Sequence, residues 1–219
     1  MQIASEPKRG RPATASREDV VRLARSQYLH GERVDLTVVA RRLGLGRATI
    51  YRWFGSRDAL LGEIIASELE ALITAHRRAV RQRGAPGLLK VFDRVNRSLS
   101  DSRALRALLE QERDSALRLI TSSAGHVQPR SVSAVRALID AEAAAGRYAP
   151  PADPGALAYA IVRLAEAFLY NDAAIGIRGD WEALHQVEAA LLGVAPTEGR
   201  TRARKRSGPA PRGARRPAS

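Results

Sequence analysis

The sequence predicts an all-α protein: a small N-terminal three-helix unit holding a helix-turn-helix, followed by a larger C-terminal helical bundle. Three observations carry this expectation. Apolar residues recur at spacings of three and four along most of the chain, and no segment alternates with the period of two that marks a half-buried strand. The eleven prolines leave residues 13–85 untouched, and Ala85-Pro86, Gln128-Pro129 and Asp153-Pro154 sit where helices would start, since proline suits only the first helical turn. Positive charge collects at the two ends. Residues 1–57 carry 12 Lys/Arg against 5 Asp/Glu and residues 195–219 carry 8 against 1, each a net +7, whereas residues 58–194 carry 16 against 17.

Taken in order, Ser16-Arg17-Glu18-Asp19 reads as a capping box with Asp in place of Glu. It opens a helix expected to bury Val20, Leu23, Ala24 and Leu29 and to stop before Gly31. Asp35 caps a short helix through Leu36, Val39, Ala40 and Leu43, which Gly44 closes. A third helix runs from Arg47 to Phe54. Ser56 then caps a long helix with Leu60, Leu61, Ile64, Ile65, Leu69, Leu72 and Ile73 on one face. Further helices are expected at 86–100, at 102–123 in two pieces, at 129–145 ending on Gly146, at 154–171 with Asp153 as N-cap, and from Asp180 to about Leu192. From Ala195 the composition turns to Arg, Pro, Gly, Ser and Ala without periodicity. Such a tail buries too little apolar area to offset its ordering entropy and is expected to be disordered.

Several function classes are disfavoured by what the chain lacks. With 219 residues and 45% hydrophobic content it can form a real core. It has no cysteine, hence no disulfide framework or thiolate metal site. Residues 1–15 are polar and hold no secretory signal, and no apolar run reaches the length of a membrane span, so a cytoplasmic protein without a membrane partner is expected. His30, His76, His126 and His185 stand far apart, outside any metal-ligand spacing, and there is no Gly-x-Ser-x-Gly or phosphate-binding glycine loop. We therefore expect no catalytic residues, metal or cofactor. Basic ends flanking a neutral middle point to a polyanion, and the absence of a long apolar face on either end favours nucleic acid over a lipid surface.

Residues 35–54 read Asp-Leu-Thr-Val-Val-Ala-Arg-Arg-Leu-Gly-Leu-Gly-Arg-Ala-Thr-Ile-Tyr-Arg-Trp-Phe. This is a helix, a turn around Gly44 and a second helix. Ala40 is small where the two must cross, and Leu45 and Ile50 plug the angle between them. A helix-turn-helix presents the start of its second helix to base edges in the major groove, here Arg47, Ala48 and Thr49 with Tyr51 and Arg52 one turn on. Arg47 suits bidentate recognition of a guanine, Ala48 would lie against a thymine methyl, and Arg52 would meet either bases or phosphates. Tyr51 and Trp53 could instead simply pack between helices.

Residues 16–61 resemble the DNA-binding domain of the TetR/AcrR family, whose signature runs Gly-Val-Ser-x-Gly-Thr-Leu-Tyr-x-His-Phe-x-Ser-Lys-Glu-x-Leu. Here the corresponding run is Gly44-Leu45-Gly46-Arg47-Ala48-Thr49-Ile50-Tyr51-Arg52-Trp53-Phe54-Gly55-Ser56-Arg57-Asp58-Ala59-Leu60. It departs at Gly46, Ala48, Trp53 and Arg57. The resemblance implies backbone and phosphate contacts from Thr37, Thr49, Tyr51, Trp53 and Arg57, and minor-groove contact from an arm holding Arg9-Gly10-Arg11-Pro12, the alternative for that arm being an ordinary frayed terminus. It also implies four regions: a basic arm at 1–15, a DNA-binding domain at 16–61, a ligand-binding and dimerisation domain at 62–194, and the basic tail at 195–219. The expected function is a ligand-responsive transcription regulator, most simply a repressor that binds a palindromic operator as a homodimer and is released by a small molecule.

The middle of the chain carries no motif that locates a ligand. Aromatic or polar groups inside apolar helices are the candidates: Phe92, Asn96, Tyr148, Tyr159, Arg163, Glu166, Phe168 and Tyr170. For each the alternative is plain packing, or, for Arg163 and Glu166, a surface pair three residues apart. Leu157, Ile161, Leu164, Phe168, Leu184, Val187 and Leu191 repeat at helical spacing and would form the dimer interface, or else the core of a monomer. The run from Tyr51 to Glu63 further resembles a QsdR-like branch of the family, linked to small lactones, which makes a lactone the expected effector. A non-specific architectural DNA binder and, less readily, an enzyme are the competing readings.

Overall fold

Capping chemistry organises the N-terminal unit. The computed structural model describes residues 15–170 and 179–195, and among these it contains ten helices and no strand. α1 (Arg17–Leu29) begins at Ser16, whose Oγ accepts from the Asp19 N–H at 3.2 Å while the Asp19 carboxylate accepts from the Ser16 N–H at 2.9 Å. The Asp-for-Glu capping box therefore closes reciprocally. Asp35 accepts from the Thr37 N–H at 2.7 Å to start α2 (Leu36–Leu43). Gly44 ends it at φ 65°, in the left-handed region where a β-carbon would be strained. α3 (Arg47–Phe54) starts on Gly46 with no side-chain cap. Ser56 accepts from the Ala59 N–H at 3.0 Å and opens α4 (Arg57–Ala79).

The bundle comprises α5 (Gly84–Asp101), α6 (Arg103–Gln111), α7 (Arg113–Thr121), α8 (Val127–Ala144), α9 (Pro154–Tyr170) and α10 (Trp181–Leu191). The run at 102–123 does break in two, at Glu112. Pro86 and Pro129 sit third in their helices, which begin two residues earlier than expected. The missing N–H is still a first-turn orphan there, so the helix tolerates it. The Arg9–Pro12 arm and residues 196–219 of the tail lie outside the described residues.

α8 packs most extensively against α9 and α4, and α10 lies against α9 and α5. Two apolar clusters hold the structure. One runs from Val20, Val39 and Ile50 in the N-terminal unit through Leu60 and Ile64 of α4 to Leu105, Leu108 and Ile120 of α6 and α7. The division expected at 61/62 thus falls inside α4 and inside a continuous core. The N-terminal unit joins α6 and α7 through packed side chains and not through a linker. The second cluster joins the end of α4 to α5, α8 and α9 around Leu88, Val91, Ile139 and Leu157. Leu29, expected to be buried, is 40% exposed, because the end of α1 turns Gln27 and Tyr28 inward instead.

One buried carboxylate fastens the second cluster. Glu142 of α8 accepts from Arg147 Nε at 2.9 Å and from the Gly84 N–H at 2.8 Å, and pairs with Arg77 at the end of α4. The Arg147 hydrogen bonds, with Gly84 and Arg77, outweigh burial and hold its pKa down at about 2. Gly84 has φ 67°, and a β-carbon there would meet the Arg147 carbonyl oxygen at 2.6 Å, so only glycine fits.

Candidate nucleic-acid interface and internal cavity

Ile50 and Phe54 bury the inner stripe of α3, which leaves Arg47, Ala48, Tyr51 and Arg52 exposed on its outer face. The Arg47 guanidinium lies 6.0 Å from the centroid of the Tyr51 ring, one turn along, a spacing that holds the cation near the helix start. Thr37 is exposed at the beginning of α2, and Thr49 is half-buried. Arg41 and Arg42, exposed in the last turn of α2, add charge beside this face. Motif spacing did not single them out. Trp53 is half-buried and packs on the first apolar cluster.

Arg57 lies apart from this exposed face. The resemblance implied a cation facing phosphate at the start of α4, but its guanidinium turns inward. Nε donates to the Val34 carbonyl at 2.7 Å, and the two terminal nitrogens form a fork on Glu112, one of them at 2.9 Å. Glu112, between α6 and α7, is only 13% exposed, and Arg33 approaches it at 3.4 Å. A carboxylate from the bundle therefore occupies the arginine that the motif assigns to DNA. This ion pair, with the Gln111 amide donating to the Gly31 carbonyl at 2.9 Å, ties α6 to the N-terminal unit.

Below this junction lies an internal cavity of about 340 Å³. Its wall draws on α1 and on every helix from α4 to α10, and is mostly apolar. Phe92, Asn96, Glu166 and Tyr170 of the expected ligand residues face it. The other four do not. Tyr159 is half exposed on the outer side of α9, and Arg163, one turn on, shares that side. The Arg163 guanidinium donates to Glu166 at 2.8 Å and to the Thr121 carbonyl at 3.1 Å, so the surface pair does form. Tyr148 donates its hydroxyl to the Leu192 carbonyl at 3.1 Å, and Phe168 packs in the core away from the wall. A single helical stripe has an inner and an outer side that spacing alone does not label; Val162, Ala165 and Leu169 take the inner side of α9.

Tyr28 and Glu188 are among the wall residues that the sequence reading did not single out. Tyr28 is buried at the end of α1, and burial pushes its pKa up to about 12. Glu188 of α10 is completely buried; its Oε1 accepts from Asn96 Nδ2 at 3.0 Å, and Oε2 has no hydrogen-bond partner. Burial, with Asp93 nearby, pushes the Glu188 carboxyl up to about 8 against the pull of Asn96. The signal was present: Leu184, Glu188 and Leu192 follow at intervals of four, a carboxylate set in an apolar stripe.

A helix-turn-helix unit sharing one core with a helical bundle, whose cavity reaches back to α1, defines a DNA-binding regulator of the ligand-responsive kind. Residues 83–193 match the family model described as "Tetracyclin repressor-like, C-terminal domain". The chain is similar to the R. erythropolis transcriptional repressor QsdR from the TetR family, with 33% identity and a TM-score of 0.76 over 82% of this chain and 95% of that one. It shares its fold with the TetR family repressor AlkX from Dietzia sp. strain DQ12-45-1b, at 24% identity and a TM-score of 0.57 over 83% and 97% of the two chains. No curated protein matches the sequence. The chain belongs to the TetR family, whose members are ligand-responsive, DNA-binding transcription regulators and generally not enzymes.

Proposed function

We propose that this protein is a repressor which binds a palindromic operator as a homodimer and releases it when a small molecule fills the cavity. In this reading residues 16–61 read DNA, 62–194 sense and dimerise, and the basic arm and the tail at 195–219 add phosphate contacts. Arg47 and Ala48 read base edges. Thr37, Thr49, Tyr51 and Arg52 position the head on the backbone, with Arg41 and Arg42 contributing charge. The dimer forms through α9 and α10, where Tyr159 and Val187 remain exposed within one chain and Leu164 and Leu191 half-buried. Regulation of transcription agrees with a cytoplasmic location, and no described helix is long and apolar enough to cross a membrane.

The observation that carries the reading is the continuity between cavity and head. Tyr28 and Leu29 of α1 and Ile65 and Glu68 of α4 line the cavity directly, while α1 also supports α2 and α3. A ligand that favours one position of α1 and α4 over another shifts the population of DNA-competent heads by its differential affinity. A small lactone as effector rests on the likeness of residues 51–63 to the QsdR-like branch and on the overall likeness to QsdR. The test is selection of genomic fragments with the purified full-length protein, followed by binding to the selected duplex with and without candidate effectors. One preferred palindrome is expected. Equal affinity for every duplex would instead indicate an architectural DNA binder.

A further inference from the structure

The chemistry of the cavity wall narrows the effector further, on the reading that the cavity is the sensor site. We propose that the effector is an uncharged, largely apolar molecule carrying a hydrogen-bond-accepting oxygen, such as a ketone, ester or ether, which docks on the Glu188–Asn96 pair. Three observations lead there. The described wall contains no lysine, arginine or histidine, so nothing offsets the desolvation of an anionic ligand. It contains three glutamates, and two are already matched by arginines: Glu68 by Arg25 and Glu166 by Arg163. Of the serines on the wall, Ser98 bonds His76, Ser102 caps α6 and Ser131 bonds the Val127 carbonyl. Glu188 stands apart, fully buried, bound on one oxygen by Asn96 and unpartnered on the other.

An unpartnered buried polar atom is costly, and a ligand that satisfies it recovers that cost on binding. Which ligand does so depends on the proton. With its pKa near 8, Glu188 is mostly protonated at neutral pH, so this unpartnered, buried carboxyl at the cavity wall has an O–H to donate. A carbonyl or ether oxygen accepts that bond and no charge is created. A carboxylate brings a further negative charge beside the carboxyl groups of Asp93 and Glu166 and cannot be offset by a neutral Glu188. An amine would bind only by ionising Glu188. The titratable groups on the surrounding elements are Asp93, itself bonded to His185, on α5; Glu68 on α4; Glu166 and Tyr170 on α9; and Tyr28 on α1.

Three ten-carbon probes separate these cases: methyl octyl ketone, decanoate and decylamine, titrated calorimetrically into the full-length protein at pH 7 and pH 9. The ketone is expected to bind at least about tenfold more tightly than decanoate, and about tenfold more weakly at pH 9 than at pH 7 as Glu188 ionises. Glu188→Gln keeps a donor of the same shape, so it should hold ketone affinity within a few-fold and abolish the pH dependence. Glu188→Leu, of similar volume, should lose about tenfold. Equal binding of decanoate, tighter binding of decylamine that strengthens with pH, an unaffected Glu188→Leu variant, or no binding by any probe overturns the ligand class. Release of a selected operator duplex is read separately. Release by decylamine or decanoate alone rejects the uncharged class and upholds the sensor reading, whereas a ketone that binds in the cavity without releasing DNA upholds the class and rejects the sensor.

Discussion

The ion pair between Arg57 and Glu112 should couple the DNA-binding head to the bundle energetically, and a double-mutant cycle measures that coupling. Arg57→Ala removes the fork on Glu112 and the bond to the Val34 carbonyl, leaving Glu112 with Arg33 alone. Exposed pairs contribute about 0.2–1 kcal/mol, and breaking fully buried ones costs about 3–5 kcal/mol. With side chains 21% and 13% exposed and bidentate geometry, this pair falls between them. We expect about 2–3 kcal/mol of destabilisation for Arg57→Ala and about 2 for Glu112→Ala, with an interaction energy of about 1–2 kcal/mol in the double variant. Arg57→Lys should recover little, because an ammonium cannot form the fork. Urea unfolding at fixed protein concentration reads the cycle, since any dimer makes stability concentration-dependent. Single-variant effects that add to within about 0.5 kcal/mol would refute the coupling.

Arg47→Ala is expected to cost about 1–3 kcal/mol of operator binding and to relax one base position in each half-site, read by selection from a randomised duplex. An Asp placed at Leu164 or Leu191 should convert the dimer to monomers in sedimentation, because an unpaired charge is costly in an apolar interface; a wild type that is monomeric at micromolar concentration contradicts the assigned interface. Glu142→Gln should destabilise by about 3 kcal/mol at pH 7, the value of holding the pKa at about 2 against 4.5. Since the folded value is the lower one, that stabilisation is complete above 4.5 and lost as pH falls toward 2. Thermal melts of the two proteins should therefore converge in acid, and a constant gap across pH would show that the carboxylate charge is not what Glu142 contributes.

The sequence by itself determined the parts whose physics is local. A capping box spans four residues, a left-handed glycine ends a helix in one, and the helix-turn-helix is set by spacings inside residues 35–54. Ser16, Asp35, Gly44 and Ser56 consequently act where they were expected to. Helix periodicity likewise located the elements of the bundle to within a few residues. Tertiary structure decided everything that depends on which face of a helix meets which neighbour. Periodicity offered Tyr159 and Phe92 as equals, but one lies outside and the other on the cavity wall. It assigned α10 to pairing between subunits through Leu184, Val187 and Leu191, and passed over Glu188, which meets Asn96 across 92 residues of sequence. Arg57, which the motif sets against phosphate, makes a bundle contact because Glu112, 55 residues on, arrives beside it. Such encounters have no signature in either partner's local sequence. They arise only when the packed helices set the distance between two charges and remove the water that would otherwise have kept them apart.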